Sequence, residues 1–522
     1  MADTISIEAK ARQLGSILKD DQVSILAPDR VAYSRDLWPR GLIEFSAGRP
    51  APSPPDVVVW PETTQDVVHL VEWAAGTETP LVPYGGGSGV CGGAMPRRGQ
   101  VVVDLKRMDR ILELDGPNHR VRVQPGMNGW TFEEVLGRSN LTMGHFPSSI
   151  FCSTVGGWLA ARSAGQASTR YGKIEDMVSG LEVVTGKGEV IRTGNPGAAS
   201  LGPDWTQLFV GSEGTLGIIT EATLKVLPAP EMRVYRGYGF DRVSAGLEAI
   251  RRFMQKGLLP SVVRLYDEFD TVIARSGAGR GSEADTLVKE VMGRLTHLTK
   301  PMLPWVKVAA LRAALSKPGW LNKLADGLLP KLTGQGCLLV VGTEGRPRLA
   351  QAEADRIHEE VLRAGGRDLG PRPGEHWEKH RYSVSFKQSG VFYSGGFVDT
   401  MEVATTWDGL LRLYEAVKTA VSPLVFIMAH FSHAYPEGCS IYFTFAGSSD
   451  DPEQGLKLYD QVWNTALAAV TRAGGTISHH HGVGRSKQAF MVEEHGDSLE
   501  LFRMLKRVLD PKEILNPGKM SL

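Results

Sequence analysis

Six glycines fall between Gly85 and Gly93, in the run PYGGGSGVCGGA. A stretch this poor in Cβ atoms holds its shape only where backbone must approach something closely, so it constrains the fold more than any other part of the chain. The residues before it, PPDVVVWPETTQDVVHLVEWAAGTETPLVPY, read as strand, helix, strand. DVVVWP is a buried strand, and Thr63 or Thr64 caps a helix whose Val67, Val68, Leu70 and Val71 form one apolar face. Gly76 is expected to close that helix, and PLVPY is the second strand of a β-α-β unit. Gly87, Gly89 and Gly92 match G-x-G-x-x-G, the nicotinamide dinucleotide fingerprint. The context excludes that reading, because the loop runs into Pro96 and a further strand, QVVVDL, instead of opening a helix that could receive a pyrophosphate. Successive glycines can still converge their N–H groups on an anion.

Two more glycine- and hydroxyl-rich stretches follow, FPSSIFCSTVGGWLAARSAG with a nearby YGKIEDMV, and GSEGTLGIITEATLK. Three such places suggest one long polar cofactor in an extended groove. Between and around them lie short strands, the helix WTFEEVLGRSN and the hairpin LEVVTGKGEVIRTG with GKG at its turn. From about residue 231 the pattern becomes longer strands alternating with helices, near 242–256, 350–364, 407–420 and 453–473.

A chain of 522 residues exceeds one compact core. Its formal net charge of zero offers no basis for nucleic-acid binding. Cys91, Cys152, Cys337 and Cys439 are scattered, with no C-x-x-C, which argues against a disulfide scaffold and fits a reducing compartment. The opening residues lack a signal-peptide core, and no window reaches ~18 uninterrupted apolar residues. The expected location is cytoplasmic.

The ordered set PDVVVWP, PYGGGSGVCGGA, STVGGWLAARSAG, YGKIEDMV, GSEGTLGIITEATLK and NPGK resembles the FAD-binding (PCMH-type) domain of the vanillyl-alcohol-oxidase flavoprotein family of FAD-linked oxidases. The resemblance implies an α+β, two-domain fold: a PCMH-type FAD-binding domain at 54–230 after a lead-in at 1–53, then an antiparallel-sheet cap or substrate domain with flanking helices at 231–470. A C-terminal segment, 471–522, would return to the FAD site. It implies cofactor contacts at Pro83, Gly85, Gly86, Gly87, Ser88, Gly89, Ser148, Ser149, Thr154, Gly156, Gly157, Ser163, Gly165, Glu213, Gly214, Gly217 and Ile219. Some members attach the flavin to a histidine in the first loop; Ser88 and Val90 stand here instead, so FAD is expected to be non-covalent.

Within that family, SVVRLYD, DTMEVATTWD, YPEGCSIYFTF and GGTISHHHGVGRSK resemble the alkyldihydroxyacetone-phosphate synthases of ether-lipid synthesis. That implies a small-molecule lipid substrate, an acid–base Tyr442, proton transfer by His480 and His481, and Arg264 in the active-site lining. Lys387 falls nearest the family's phosphate-binding arginine, and His430 replaces another arginine; both are substrate-binding candidates, with His479. Lysine binds phosphate as a point charge without arginine's fork. The alternative branch, the D-2-hydroxy-acid dehydrogenases, carries a metal-binding H-x-G-(D/E)-G-N-x-H element. At 429–445 this chain keeps His430 and His433 but not the glycine–asparagine core, so no metal is expected. A polar loop for His479–His481, a core tyrosine at 442 and an interdomain ion pair at Arg264 stay open as blander readings.

One further stretch, within an insert at about 296–334, is KPMLPWVKVAALRAALSKPGWLNKLADGLLPKL. Its apolar and basic residues are compatible with peripheral membrane contact or with a helical hairpin packed on the cap. A homodimer is the assembly kept open.

Overall fold

The computed structural model describes residues 5–46, 48, 53–194, 202–276, 315–327, 336–383, 391–392, 395–449 and 451–522. The chain forms two compact units. One comprises Met1–Gly165, Tyr171–Ala229 and His480–Leu522; the other comprises Gln166–Arg170 and Pro230–His479.

The first unit contains two main sheets. In one, the strands Val57–Val59, Val101–Asp104 and Leu81–Tyr84 run parallel, and Val23–Ser24 adds an antiparallel edge. The helix Thr64–Thr77 makes the crossover. Thr63 caps it, with its side chain accepting from the Asp66 amide while Asp66 reciprocates, a capping box that satisfies two end donors. Gly76 does not close the helix. It lies inside the last turn, and Glu78 takes the left-handed conformation with φ of 52°. Its N–H bonds the Ala74 carbonyl, and its carboxylate pairs with Lys512 at the surface. Val67, Val68, Leu70, Val71 and Ala74 bury against Val57, Val59, Leu81, Val101 and Val103. Each large side chain so buried contributes roughly 1.5–3 kcal/mol.

The second sheet of this unit is five-stranded and antiparallel, in the order Ile111–Asp115, Arg120–Val123, Ile218–Lys225, Val178–Val184, Val190–Arg192. The GKG turn joins the last two, with Gly188 at a φ of 80°. The chain end returns to the first sheet. Leu81 N–H donates to the Ile514 carbonyl and Asn516 N–H to the Leu81 carbonyl.

The second unit is built on one seven-stranded antiparallel sheet. Its order is Arg367–Asp368, Met232–Phe240, Cys337–Gly345, Val262–Tyr266, Phe426–Ala434, Gly438–Ser448, Gly396–Thr406. Side chains alternate across it. Phe431, Phe443 and Phe445 point to one face, where they meet Tyr414, Tyr459 and Trp463 of the helices Leu410–Val421 and Pro452–Arg472. Leu265 packs on that face beneath Gly246 of the helix Val243–Gln255. The opposite face carries the polar residues described below.

Most of the basic apolar stretch lies outside the described residues. The part at 315–327 packs on the sheet. Leu315 and Leu321 join Phe269, Phe426 and Met428 in an apolar cluster. Asn322, on the helix Pro318–Gly327, donates to the Ser422 and Val425 carbonyls and accepts from the Ile427 amide. Among the described residues no helix is long and apolar enough to cross a membrane.

Candidate active site

In the first unit, the glycine loop follows the end of the strand Leu81–Tyr84 and lies against the second motif. A Cβ on Gly86 would run into the Cys152 carbonyl, and one on Gly85 into the Thr154 hydroxyl. Gly87 has φ of +63°, and a Cβ there would meet the Tyr84 hydroxyl. Among the described residues the amides of Gly86, Gly87, Ser88 and Gly89 donate to no main-chain carbonyl. Four adjacent unspent donors on a loop without side-chain bulk fit the phosphates of a dinucleotide.

The other cofactor candidates frame this loop. Thr154 caps the helix Val155–Ala161, accepting from Gly157 N–H. Gly156 and Gly165 are needed for close packing, on Pro125 and on the His145–Phe146 backbone respectively. Ser149 accepts from the amides of Cys152 and Ser153 in the turn just after Ser148. Gly214 sits over the Pro83 ring, Gly217 over Val183, and Ile219 pairs with Val183 in the sheet. The Glu213 carboxylate is engaged by main-chain amides: it is buried and accepts from the amides of Val483 and Gly484 at 2.5–3.1 Å, and burial raises its pKa. It thereby holds the loop that follows His480 and His481, whose rings lie 4.5 Å apart. Asn516 of the NPGK motif donates to the carbonyls of Gly93 and Glu213, and Lys519 to that of Met95.

Sequence reasoning passed over His145 in this unit. It is wholly buried, its Nε2 lies 2.9 Å from the Ser163 hydroxyl, and burial holds its pKa down to about 3. A lone histidine in the otherwise apolar and hydroxylic stretch GHFPSS was the available signal.

In the second unit, four strands place Tyr266, His430, Tyr442 and Glu402 in directly opposed positions, one row across the face away from the aromatic helix contacts. Arg264 stands two residues from Tyr266 on the same face. The His430 and Tyr442 rings stack with centroids 4.8 Å apart. Tyr442 donates to the Thr400 hydroxyl at 3.0 Å, and burial pushes its pKa up to about 12, so it is a neutral donor near neutrality. Buried Glu402 accepts from the Ser478 hydroxyl at 2.7 Å.

His430 is held from both sides. Arg264 Nη2 lies 2.6 Å from its Nε2, and Asp270 Oδ2 lies 3.1 Å from its Nδ1. A guanidinium only donates, so Nε2 accepts and Nδ1 carries the proton, directed at Asp270. Burial and the Arg264 charge keep this imidazole neutral, well below the ordinary histidine range. Both ring nitrogens of His430, a residue expected to bind substrate, are engaged by protein side chains. Arg264 Nε, by contrast, is buried and has no hydrogen-bond partner among the described residues. Asp270 arrives from the helix Glu268–Ser276, and burial raises its pKa to about 7. Sequence reasoning did not single out Asp270 or Glu402. An acid within the apolar strand run FVDTMEVATT was a legible signal for Glu402; nothing local marked Asp270.

His479 follows Ser478, and its Nε2 lies 3.1 Å from the Tyr435 hydroxyl. Lys387 lies outside the described residues. Among the described residues no group of three or more His, Cys, Asp or Glu side chains is placed to hold a metal ion. None of the four cysteines, all among the described residues, forms a disulfide.

Residues 229–520 match the C-terminal domain of FAD linked oxidases and residues 55–194 match an FAD binding domain. The chain belongs to the FAD-linked oxidases, and its cofactor is FAD. It is 31% identical to an alkyldihydroxyacetonephosphate synthase of Trypanosoma brucei brucei, over 97% of this chain and 80% of that protein. It is 26% identical to a glycolate oxidase subunit of Bacillus subtilis, over 94% and 92%. A crystal structure of an alkyldihydroxyacetonephosphate synthase superposes with a TM-score of 0.74 at 26% identity, covering 97% of this chain and 84% of that one.

Proposed function

We propose that this enzyme replaces the acyl group of an acyl-dihydroxyacetone phosphate with a fatty alcohol. The ester C–O bond at the carbon beside the ketone breaks, the fatty carboxylate leaves, and the alcohol oxygen bonds that carbon. The alcohol proton leaves with the carboxylate, so there is no net oxidation. The observation that carries the reading is Arg264, whose buried Nε has no partner among the described residues and which stands beside a row containing a neutral tyrosine. A buried guanidinium N–H without an acceptor is costly, and an anionic substrate group supplies one. The likeness to named alkyldihydroxyacetonephosphate synthases along nearly the whole chain supports the same reading.

Bound FAD, held at the glycine loop, would supply a ring system that takes up an electron pair from the substrate carbon and returns it, so that no outside reductant is needed. In this scheme the protein binds, orients and moves protons. Arg264, steadied by His430, and Lys387 hold the anionic end. Tyr442 is the acid–base group at the carbon beside the ketone. His480 and His481 donate to the departing carboxylate and accept from the incoming alcohol, a task suited to imidazole near neutrality. His479 is the third histidine of the set.

The glycolate oxidase likeness favours a second reading, oxidation of a 2-hydroxy acid. One experiment separates the two. The yellow enzyme is incubated anaerobically with acyl-dihydroxyacetone phosphate and a fatty alcohol, and in parallel with D-lactate or D-2-hydroxyglutarate. Ether product without lasting flavin bleaching is expected. Lasting bleaching by a hydroxy acid with no ether formed overturns the synthase reading.

A further inference from the structure

The strand Phe426–Ala434 loses register with its neighbour between Ser432 and Ala434. At that irregularity His433 adopts a φ of 55°, in the left-handed region. A bulge of this kind re-aims a side chain, and this one directs His433 to a short side-chain chain. His433 Nδ1 lies 2.6 Å from the Ser168 hydroxyl. That hydroxyl lies 3.4 Å from the Tyr435 hydroxyl. The Tyr435 hydroxyl lies 3.1 Å from His479 Nε2. Ser168 is 1% exposed, too enclosed to meet a substrate itself. A non-glycine residue held at positive φ costs on the order of 1 kcal/mol or more, and such strain persists where surrounding structure fixes it.

The donor count along this chain is restrictive. Three links need three hydrogens. Each hydroxyl supplies one, so the third must come from one of the two imidazoles. With both hydroxyl hydrogens spent on these links, either His433 Nδ1 is protonated and His479 Nε2 is not, or the reverse. The two tautomers are tied together through two hydroxyls.

We infer that Ser168 and Tyr435 form a proton relay between His479 and His433, and that Tyr435 is a positioning residue for His479. The relay starts with His479 Nε2 and both hydroxyls protonated and with His433 Nδ1 accepting. When His479 gains a proton at Nδ1, its Nε2 proton passes to the Tyr435 oxygen, the Tyr435 proton to the Ser168 oxygen, and the Ser168 proton to His433 Nδ1. Each hydroxyl loses one proton and gains one. His479 ends neutral and His433 ends as the imidazolium, only partly buried and able to exchange with water. The 3.4 Å Ser168–Tyr435 link is longer than the usual O–H···O spacing of about 2.7–2.8 Å and is where the relay is most easily broken.

The relay's part in turnover rests on the proposed reaction; the tautomer linkage does not, and the test reads them separately. The FAD-loaded enzyme is labelled with 15N-histidine, with His433→Gln and His479→Gln giving the assignments. In the resting enzyme, nitrogen shifts should show one of His433 Nδ1 and His479 Nε2 protonated and the other not. Tyr435→Phe and Ser168→Ala should each break that pairing while flavin content and tryptophan fluorescence stay unchanged. In the ether-forming assay both substitutions should lower kcat about tenfold or more, below the ~10²–10⁴ worth of a full acid or base, with KM within about twofold. The solvent deuterium effect should fall in each. Both nitrogens protonated, or both bare, in the wild type overturns the linkage. Unchanged histidine shifts in both variants overturn it as well. Altered shifts with wild-type kcat in both overturn the relay and leave the linkage standing. Absence of any ether product in the wild type would sink the proposed function without touching the nitrogen result.

Discussion

His430→Phe is the most informative single change at the polar row. Phenylalanine keeps a flat ring of similar size opposite Tyr442, so the stacking at 4.8 Å can persist. It removes the acceptor 2.6 Å from Arg264 Nη2 and the donor 3.1 Å from Asp270 Oδ2. Removing one partner of a buried charged pair costs roughly 3–5 kcal/mol when the survivor stays ionised. Losing a hydrogen bond costs about 1–3 kcal/mol when the survivor is neutral. Asp270 decides which regime applies. Its pKa is raised from 3.8 to about 7 by burial. Because the folded value lies above the unfolded one, this carboxyl's contribution to stability is fully present below pH 4 and is lost as pH rises toward 7. Taking away the His430 N–H raises the folded value further, so in the variant the loss continues above pH 7.

The destabilisation of His430→Phe relative to wild type should therefore be about 1–3 kcal/mol at pH 6 and reach roughly 3–5 kcal/mol at pH 8.5. Urea unfolding followed by tryptophan fluorescence measures both. Adding Asp270→Leu removes the orphaned carboxyl, so the double variant should regain stability at pH 8.5. Activity should not return with it, because Arg264 still lacks its support; KM for the anionic substrate should stay raised about tenfold, equivalent to ~1.4 kcal/mol. An equal loss of stability at both pH values, or a normal KM in the double variant, refutes the account of Asp270 and Arg264.

Gly86→Val should abolish FAD retention, since its Cβ collides with the Cys152 carbonyl and separates the first two motifs; flavin absorbance per chain after gel filtration reads this. Acid or heat denaturation should release free FAD into the supernatant, because Ser88 and Val90 stand where a covalently attaching histidine would; colour remaining in the precipitate contradicts it. Tyr442→Phe and His481→Ala should each retain FAD and lower turnover by about 10²–10⁴, and the double variant should lose far less than the product of the two. Full activity in His481→Ala would return the triple histidine to a polar loop.

What was legible in the sequence was what local forces decide. The capping box at Thr63, the apolar stripe from Val67 to Val71 and the GKG turn each depend on residues within a few positions of one another, and they form where the pattern puts them. Gly76 offers an easy stop in the sequence, but the helix runs on to Thr77 and Glu78 takes the left-handed conformation, its N–H bonded to the Ala74 carbonyl. The polar row was half legible. Tyr442 and His430 stood out as chemistry-bearing side chains in apolar strands, but their alignment with Tyr266 and Glu402 is a matter of register among four strands, which no single strand encodes. Asp270 and Ser168 were invisible for a related reason: each belongs to a short helix whose own sequence gives no reason for a buried partner.

The glycines show how one residue type can answer two demands. The first motif was read as a place where backbone approaches a phosphate, and the unspent amides from Gly86 to Gly89 agree with that. Yet the missing Cβ atoms are also required by protein. Gly86 admits the Cys152 carbonyl, Gly92 at a φ of +75° admits Trp38, Gly482 admits the Glu213 carboxylate, and Gly484 admits the Cys91 carbonyl. The three motifs and the loop after the triple histidine can interlock only because each offers bare backbone to the next. Close approach of four chain segments leaves little room for any of them to relax, so a side chain added at one glycine is felt at the others. The loop after the histidines is held on the far end of the glycine stretch, with Gly484 against the Cys91 carbonyl, and on the third motif, with the Val483 and Gly484 amides donating to the Glu213 carboxylate. Substituting Glu213 should consequently disturb FAD retention and the histidines together, although its carboxylate is spent on the protein.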